Sequence, residues 1–235
     1  NAEAGDKLVL ADGTYTQEYS INMDKAGLII TAAENAKPVI QLTGEWTTLN
    51  VSASTTFEGI TFDANNVAKY IIATLDSVAM TTDGVNYKCE FKNWLQWAIS
   101  NQYAKNVSAK SVVIDNCLFH DGTNSAIRFS ENAPEGKNAC QYLEVSNSTF
   151  HNIGDANAYS TIYSLARTDA EAAASNEVVV NHCTFYNCQA KNTDHAAVRV
   201  SYTASISNTI IVAPEAQSTY RAIYAADYSN AQAIN

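Results

Sequence analysis

Six segments of this chain repeat one short pattern: a leading residue, usually apolar, then a turn residue, a small residue and a closing aromatic or β-branched residue. They are Phe57–Phe62, Asn86–Phe91, Ile114–Phe119, Val145–Phe150, Val180–Phe185 and Ile206–Ile211. Their closing residues lie 29, 28, 31, 35 and 26 positions apart. A period of that size that wanders by several residues points to a solenoid whose rungs are fixed while its loops vary.

Each copy is followed by a second short apolar element: Trp97–Ser100, Ala126–Phe129, Thr161–Ser164, Ala197–Val200 and Ala222–Ala225, with Tyr70–Ala73 a looser early member. These runs are too short for helices, alternate in polarity and are rich in β-branched residues, so each rung is expected to hold two or three strands. The Leu/Asn consensus of a leucine-rich repeat and the Trp-Asp signals of a propeller are both missing. The sequence predicts an all-β chain wound as a single-stranded parallel β-helix of about six to eight rungs. Inside the first element the turn position is Gly59, Lys88, Asn116, Asn147, His182 and Asn208 in successive copies. Most of these types tolerate positive φ, and stacked asparagines there can bond their neighbours along the coil, which predicts an asparagine ladder.

With these repeats the chain resembles the right-handed parallel β-helices of the pectate lyase-like superfamily. The likeness runs from Gly5–Tyr15, which looks like the opening strand of many glycan-active β-helices, to Ile206–Ile211. In that superfamily an amphipathic capping helix usually precedes the opening strand, and only Asn1–Ala4 stands before it here. The chain is therefore expected to be a piece of a longer protein, with the other domains of that parent among its partners. It is also similar to uncharacterised β-helix domains of bacterial surface or secreted proteins in glycan-using systems, which implies an extracellular or cell-surface location and a carbohydrate context. The scaffold hosts many activities and pure binding roles, so the resemblance implies a fold more than a reaction.

Residues 1–235 fit one elongated domain, since a solenoid is not bound by the size of a single globular core. No stretch reads as a linker or a transmembrane span, and Ala170–Ser175 reads as an exposed loop. A formal net charge of −10 with only 14 basic residues argues against nucleic acid as a partner. Of the five cysteines, Cys89, Cys117 and Cys183 share one place in the repeat, with Ser148 between the last two. They are expected to point inward as free core thiols, although a Cys89–Cys117 bond between neighbouring rungs is geometrically open. Spacings typical of a zinc site are absent.

If Ile99, Ile127, Ile162, Val198 and Ile223 point inward, alternation sends Ser100, Arg128, Tyr163, Arg199 and Tyr224 outward. The preceding positions, Ala98, Ala126, Thr161, Ala197 and Ala222, are all small, which predicts a shallow trough beside an Arg/Tyr stripe. Tyrosine faces stack on sugar rings and arginine forks hold carboxylates or sulfates, so Arg128, Tyr163, Arg199 and Tyr224 are the candidate polysaccharide contacts. The plainer alternative is a cation–π ladder that only shields the sheet.

Flanking loops add His120, Asp121, His151, Asn152, Asp155 and Lys191–His195. In glycan lyases of the superfamily a base removes the proton beside a uronic carboxylate that a cation neutralises. The resemblance would cast Lys191 or His195 as base and Arg199 or Arg128 as neutraliser. Hydrolysis needs two carboxylates across the scissile bond. Asn192–Asp194 echoes a polygalacturonase motif, but no adjacent Asp pair or Gly-His-Gly accompanies it. Calcium-dependent lyases gather acidic side chains where this stripe has Arg and Tyr, so no cofactor is expected; calcium is conceivable only at an acidic loop such as Glu131–Glu135. Three readings stay open: a polysaccharide-binding domain, a lyase of uronic-acid glycans acting by β-elimination, and a structural spacer or adhesin stalk.

Overall fold

The computed structural model describes residues 2–74, 85–101, 108–129, 138–155, 157–165, 177–191, 195–201, 203–215 and 220–225. The Ala170–Ser175 loop, the acidic Glu131–Glu135 loop and the Asn192–Asp194 tripeptide lie outside these residues. The described chain is all-β: strands stack into a fourteen-stranded and an eight-stranded sheet, and no helix occurs among the described residues. Accordingly, no helix there is long and apolar enough to cross a membrane. Every strand pairing found is parallel, with each turn of the chain laid against the next.

This arrangement follows from the repeat, because in-register parallel stacking puts like residues over like. Phe62, Phe91, Phe119, Phe150 and Phe185 occupy one register column, and all five are fully buried. Their ring centres are 5.1, 4.7, 4.9 and 4.6 Å apart, with interplanar angles of 16° or less. Leu49, Ile72, Ile99, Ile127, Ile162 and Val198 form a second buried column, and Ile114, Val145, Val180 and Ile206 a third. All five cysteines are free and buried. Burial pushes the thiols of Cys89 and Cys188 up to about 12. Cys117 Sγ and Ser148 Oγ accept from the backbone N–H of Cys89 and Cys117 respectively, so this column of small residues links successive turns.

The second copy of the repeat departs from its expected alignment. Glu58 faces Lys88 while Thr61 faces Glu90, and on the other side Ile114 faces Tyr87 while Leu118 faces Glu90. This copy therefore begins at Tyr87 rather than Asn86, is one residue short, and has no corner residue. Gly59, Asn116, Asn147, His182 and Asn208 have φ of 70°, 52°, 50°, 52° and 49°, whereas Lys88 is not among the positive-φ residues. Without a corner, Val85–Lys92 runs straight from one face to the next; with Thr55–Asp63 it fuses two faces into the fourteen-stranded sheet.

At the corners, Asn147 Nδ2 donates to Asp115 Oδ1 at 2.7 Å and Asn208 Nδ2 to Asn181 Oδ1 at 3.0 Å. A second corner follows the phenylalanine column, where Asn93, Asp121, Asn152 and Asn187 have φ between 50° and 62°. There Asn93 donates to Asp63, Asn152 to Asp121 and Asn187 to Asn152, at 2.8, 3.4 and 3.0 Å.

Candidate functional site

The eight-stranded sheet consists of Ile21–Met23, Leu49–Val51, Tyr70–Thr74, Trp97–Ser100, Ile127–Phe129, Ile162–Ser164, Val198–Val200 and Ile223–Ala225. Ser100, Arg128, Tyr163, Arg199 and Tyr224 fall in one register column across its last five strands, but Ser100, expected to face outward, is 0% exposed. Of the five small positions expected to line a trough, only Ala222 is exposed. Ala98, Ala126, Thr161 and Ala197 are at most 1% exposed, and the three alanines belong to the core cluster. Ala126, Thr161 and Ala197 precede their three-residue strands, whereas Ala98 lies within its strand and is buried all the same.

The stripe is a stack of cations and rings. The Arg128 guanidinium lies 4.3 Å from the centre of the Tyr163 ring, 4.4 Å from Tyr159 and 4.7 Å from Trp97. Arg199 lies 5.2 Å from Tyr163 and 5.1 Å from Tyr224, and Arg221 reaches Tyr224 at 5.0 Å. Tyr163 is thus approached by an arginine from the strand on either side and is 7% exposed. It holds the two guanidinium groups rather than offering a free face to a sugar.

Lys191 and His195 join the same cluster through Tyr159. Lys191 Nζ sits 3.9 Å from the Tyr159 ring centre, and His195 packs edge-on against that ring at 4.9 Å. His195 is 6% exposed; Tyr163 lies 6.0 Å away, and Ser160 Oγ is 3.4 Å from His195 Nδ1. So enclosed, His195 braces Tyr159 and Tyr163, and of the two candidate bases Lys191 is the less buried. His120 and His151 lie on the other sheet, stacked on each other at 5.0 Å, with His120 held between Glu90 and Asp121 at 2.9 and 2.7 Å. Asp155 belongs to a turn, where it accepts from the Asn157 backbone N–H at 2.7 Å.

Three buried donors of the stripe, Arg128 Nε and Nη1 and Arg199 Nε, have no hydrogen-bond partner among the described residues. Among the described residues, Arg128, Arg199, Arg221 and Lys191 also form no ion pair. A buried charged donor left unpaired costs about 1–3 kcal/mol or more.

A groove of about 600 Å³ lies instead on the fourteen-stranded sheet beside the short copy of the repeat. Its polar groups are already matched to one another. Asp115 accepts from Ser146 and Asn147, Glu144 accepts from Tyr142, and Glu58 faces Lys88 at 3.9 Å. Among the described residues no three His, Cys, Asp or Glu side chains gather to hold a metal ion.

The residues missing from the expected stripe are Trp97, Tyr159 and Tyr70. Tyr70 and Trp97 sit two positions before Ile72 and Ile99 in the repeat, and that fixed offset is the signal that could have found them. Neither a protein-family model nor a curated protein sequence matches this chain.

Proposed function

We propose that the chain binds a carboxylated or sulfated polysaccharide along the Arg128, Arg199 and Tyr224 side of the eight-stranded sheet, with Tyr163 as the brace between the two arginines. One observation carries this reading: Arg128 Nε and Nη1 and Arg199 Nε, held among rings, have no hydrogen-bond partner among the described residues. Stacked arginines keep their forks oriented, and an oriented fork matches a carboxylate or sulfate in two-point hydrogen bonding. The same reading has the chain act outside the cell or on a bacterial surface, as part of a glycan-degrading system. It includes the finer fold expected from the sequence, a right-handed pectate lyase-like coil of about six to eight turns with an asparagine ladder. Parallel crossovers are almost always right-handed, and the corner amide bonds run along the coil as such a ladder would.

The test is affinity electrophoresis in gels cast with polygalacturonate, alginate or chondroitin sulfate, together with an absorbance assay for unsaturated uronic ends. Retardation without product is the expected result. Replacing both Arg128 and Arg199 by Lys keeps the charge but removes the forks. The double variant should lose at least about tenfold in affinity, the equivalent of one charge-assisted hydrogen bond of roughly 1.5–3 kcal/mol. Unsaturated product that disappears in Lys191→Ala would make the protein a lyase, and neither product nor retardation would make it a spacer.

A further inference from the structure

The stripe does not end at Arg128. Trp97 touches Tyr70 at 5.3 Å, and Tyr70 touches Trp46 at 6.2 Å, so ring contacts continue across the sheet toward its first strands. Tyr70 is fixed there by a hydrogen bond from its hydroxyl to Gln96 Oε1 at 2.6 Å. At the far end the character of the surface changes. Trp46 is 62% exposed, while Trp94 and Trp97 are 0% and 1% exposed. Lys69 Nζ lies 3.7 Å from the Trp46 ring centre and is itself tied to Glu45 Oε1 at 2.6 Å. The indole is therefore positioned from one side while most of its surface stays in solvent. Tyr19, 73% exposed, lies in the preceding turn, which is joined to this one by a hydrogen bond from Ser20 Oγ to the Trp46 carbonyl at 3.3 Å.

The two ends of the ring path differ in charge. At Arg128 and Arg199 no carboxylate answers the cations among the described residues, whereas at Trp46 Lys69 and Glu45 cancel. A large exposed indole with no net charge beside it favours an apolar ring face over an anion, and the adjoining carboxylate and ammonium can serve hydroxyl groups. Three strand steps separate Leu49–Val51 from Ile127–Phe129, a span of about 14 Å at roughly 4.8 Å per step. We propose that Trp46 is a stacking subsite for an uncharged sugar ring of the same chain whose acidic groups meet Arg128 and Arg199. The ligand is then a mixed polysaccharide, with uncharged and acidic sugars within one stretch of about 14 Å or more. This inference rests on the polysaccharide reading given above.

Because the other two tryptophans are buried, acrylamide quenching of intrinsic fluorescence reads Trp46. Three probes are compared on the whole protein: glucuronoxylan, which mixes neutral and acidic sugars, polygalacturonate, which is uniformly acidic, and unsubstituted xylan. The expected result is tightest binding to glucuronoxylan, protection of Trp46 from acrylamide at saturation, and at least about a tenfold loss of that affinity in Trp46→Ala. Polygalacturonate should bind Trp46→Ala and wild type alike. If glucuronoxylan binds both proteins equally and Trp46 stays quenchable, the subsite is refuted while the arginine reading stands. Equal losses on glucuronoxylan and polygalacturonate would refute the uncharged-sugar assignment. No binding to any of these probes or to the sulfated and uronic polymers above would overturn the polysaccharide reading and this inference with it.

Discussion

Phe119 is the residue on which the core can be tested most simply. It is fully buried, with Phe91 and Phe150 stacked on its two sides at 4.7 and 4.9 Å and Trp94 edge-on at 6.3 Å. Trp94 is itself locked, since its Nε1 donates to the Asn124 carbonyl at 3.1 Å and a Cβ at Gly122 would collide with its ring. Neighbours held on every side cannot collapse into a gap. Phe119→Ala should therefore cost about 3–5 kcal/mol in urea unfolding, with an unchanged dependence on denaturant; a loss below about 1 kcal/mol would mean that the column relaxes. At this scale the sequence was most legible where a side chain lies within a strand. Alternation placed Arg128, Tyr163, Arg199 and Tyr224 in one column, because only the pleat decides that. It misses that Ala98, Ala126 and Ala197 are buried, whether inside a strand or just before one, and it leaves open whether the arginines cover Tyr163.

Among the elements, the short strand Leu118–His120 and the corner after it carry the clearest link between structure and pH. His120 Nε2 faces Glu90 Oε1 at 2.9 Å and His120 Nδ1 faces Asp121 Oδ2 at 2.7 Å, while Thr61 Oγ1 donates to Glu90 at 2.9 Å. Burial works against ionisation of Glu90, but His120, Thr61 and Lys92 together outweigh it and hold the carboxyl below its ordinary 4.5. Asp121 is held below its ordinary 3.8, chiefly by the hydrogen bond from His120. For carboxyls depressed in the folded state, the stabilisation is complete above the unfolded values and is lost as pH falls through the folded ones. Hence His120→Gln should lower Tm by its full amount above the ordinary carboxyl values of 4.5 and 3.8, and the gap to wild type should shrink as pH falls below them. A gap that stays constant over that range would contradict the pairing. This corner illustrates what the sequence concealed. The repeat announced the phenylalanines, but a copy one residue short looks like its neighbours until register is known. The repeat therefore assigns Lys88 a corner that the chain does not make. The amides at Asn93, Asn152 and Asn187 follow each phenylalanine by two positions, and their left-handed backbone became evident only once the strands were paired.

Taken whole, the molecule sets an acidic chain of net charge −10 against one sheet where arginines accumulate without ion pairs among the described residues. Self-repulsion and desolvation both disfavour such a cluster, and the stacked rings offset only part of that cost, at about 0.5–2 kcal/mol per cation–π contact. The large groove on the opposite sheet shows the ordinary outcome, in which neighbouring acids, amides and a lysine pair with one another. Parallel stacking explains how the stripe is built, since every added turn extends the column by one side chain in the same place. The central claim is that the unpaired donors of Arg128 and Arg199 are kept for an anionic glycan. It is tested most directly by nitrogen–proton NMR of the arginine Nε–H groups during titration with acidic oligosaccharides released from glucuronoxylan and from polygalacturonate. The account predicts that the Arg128 and Arg199 signals shift together and exchange more slowly with water as ligand binds. Signals that stay unmoved while backbone amides elsewhere respond would contradict it.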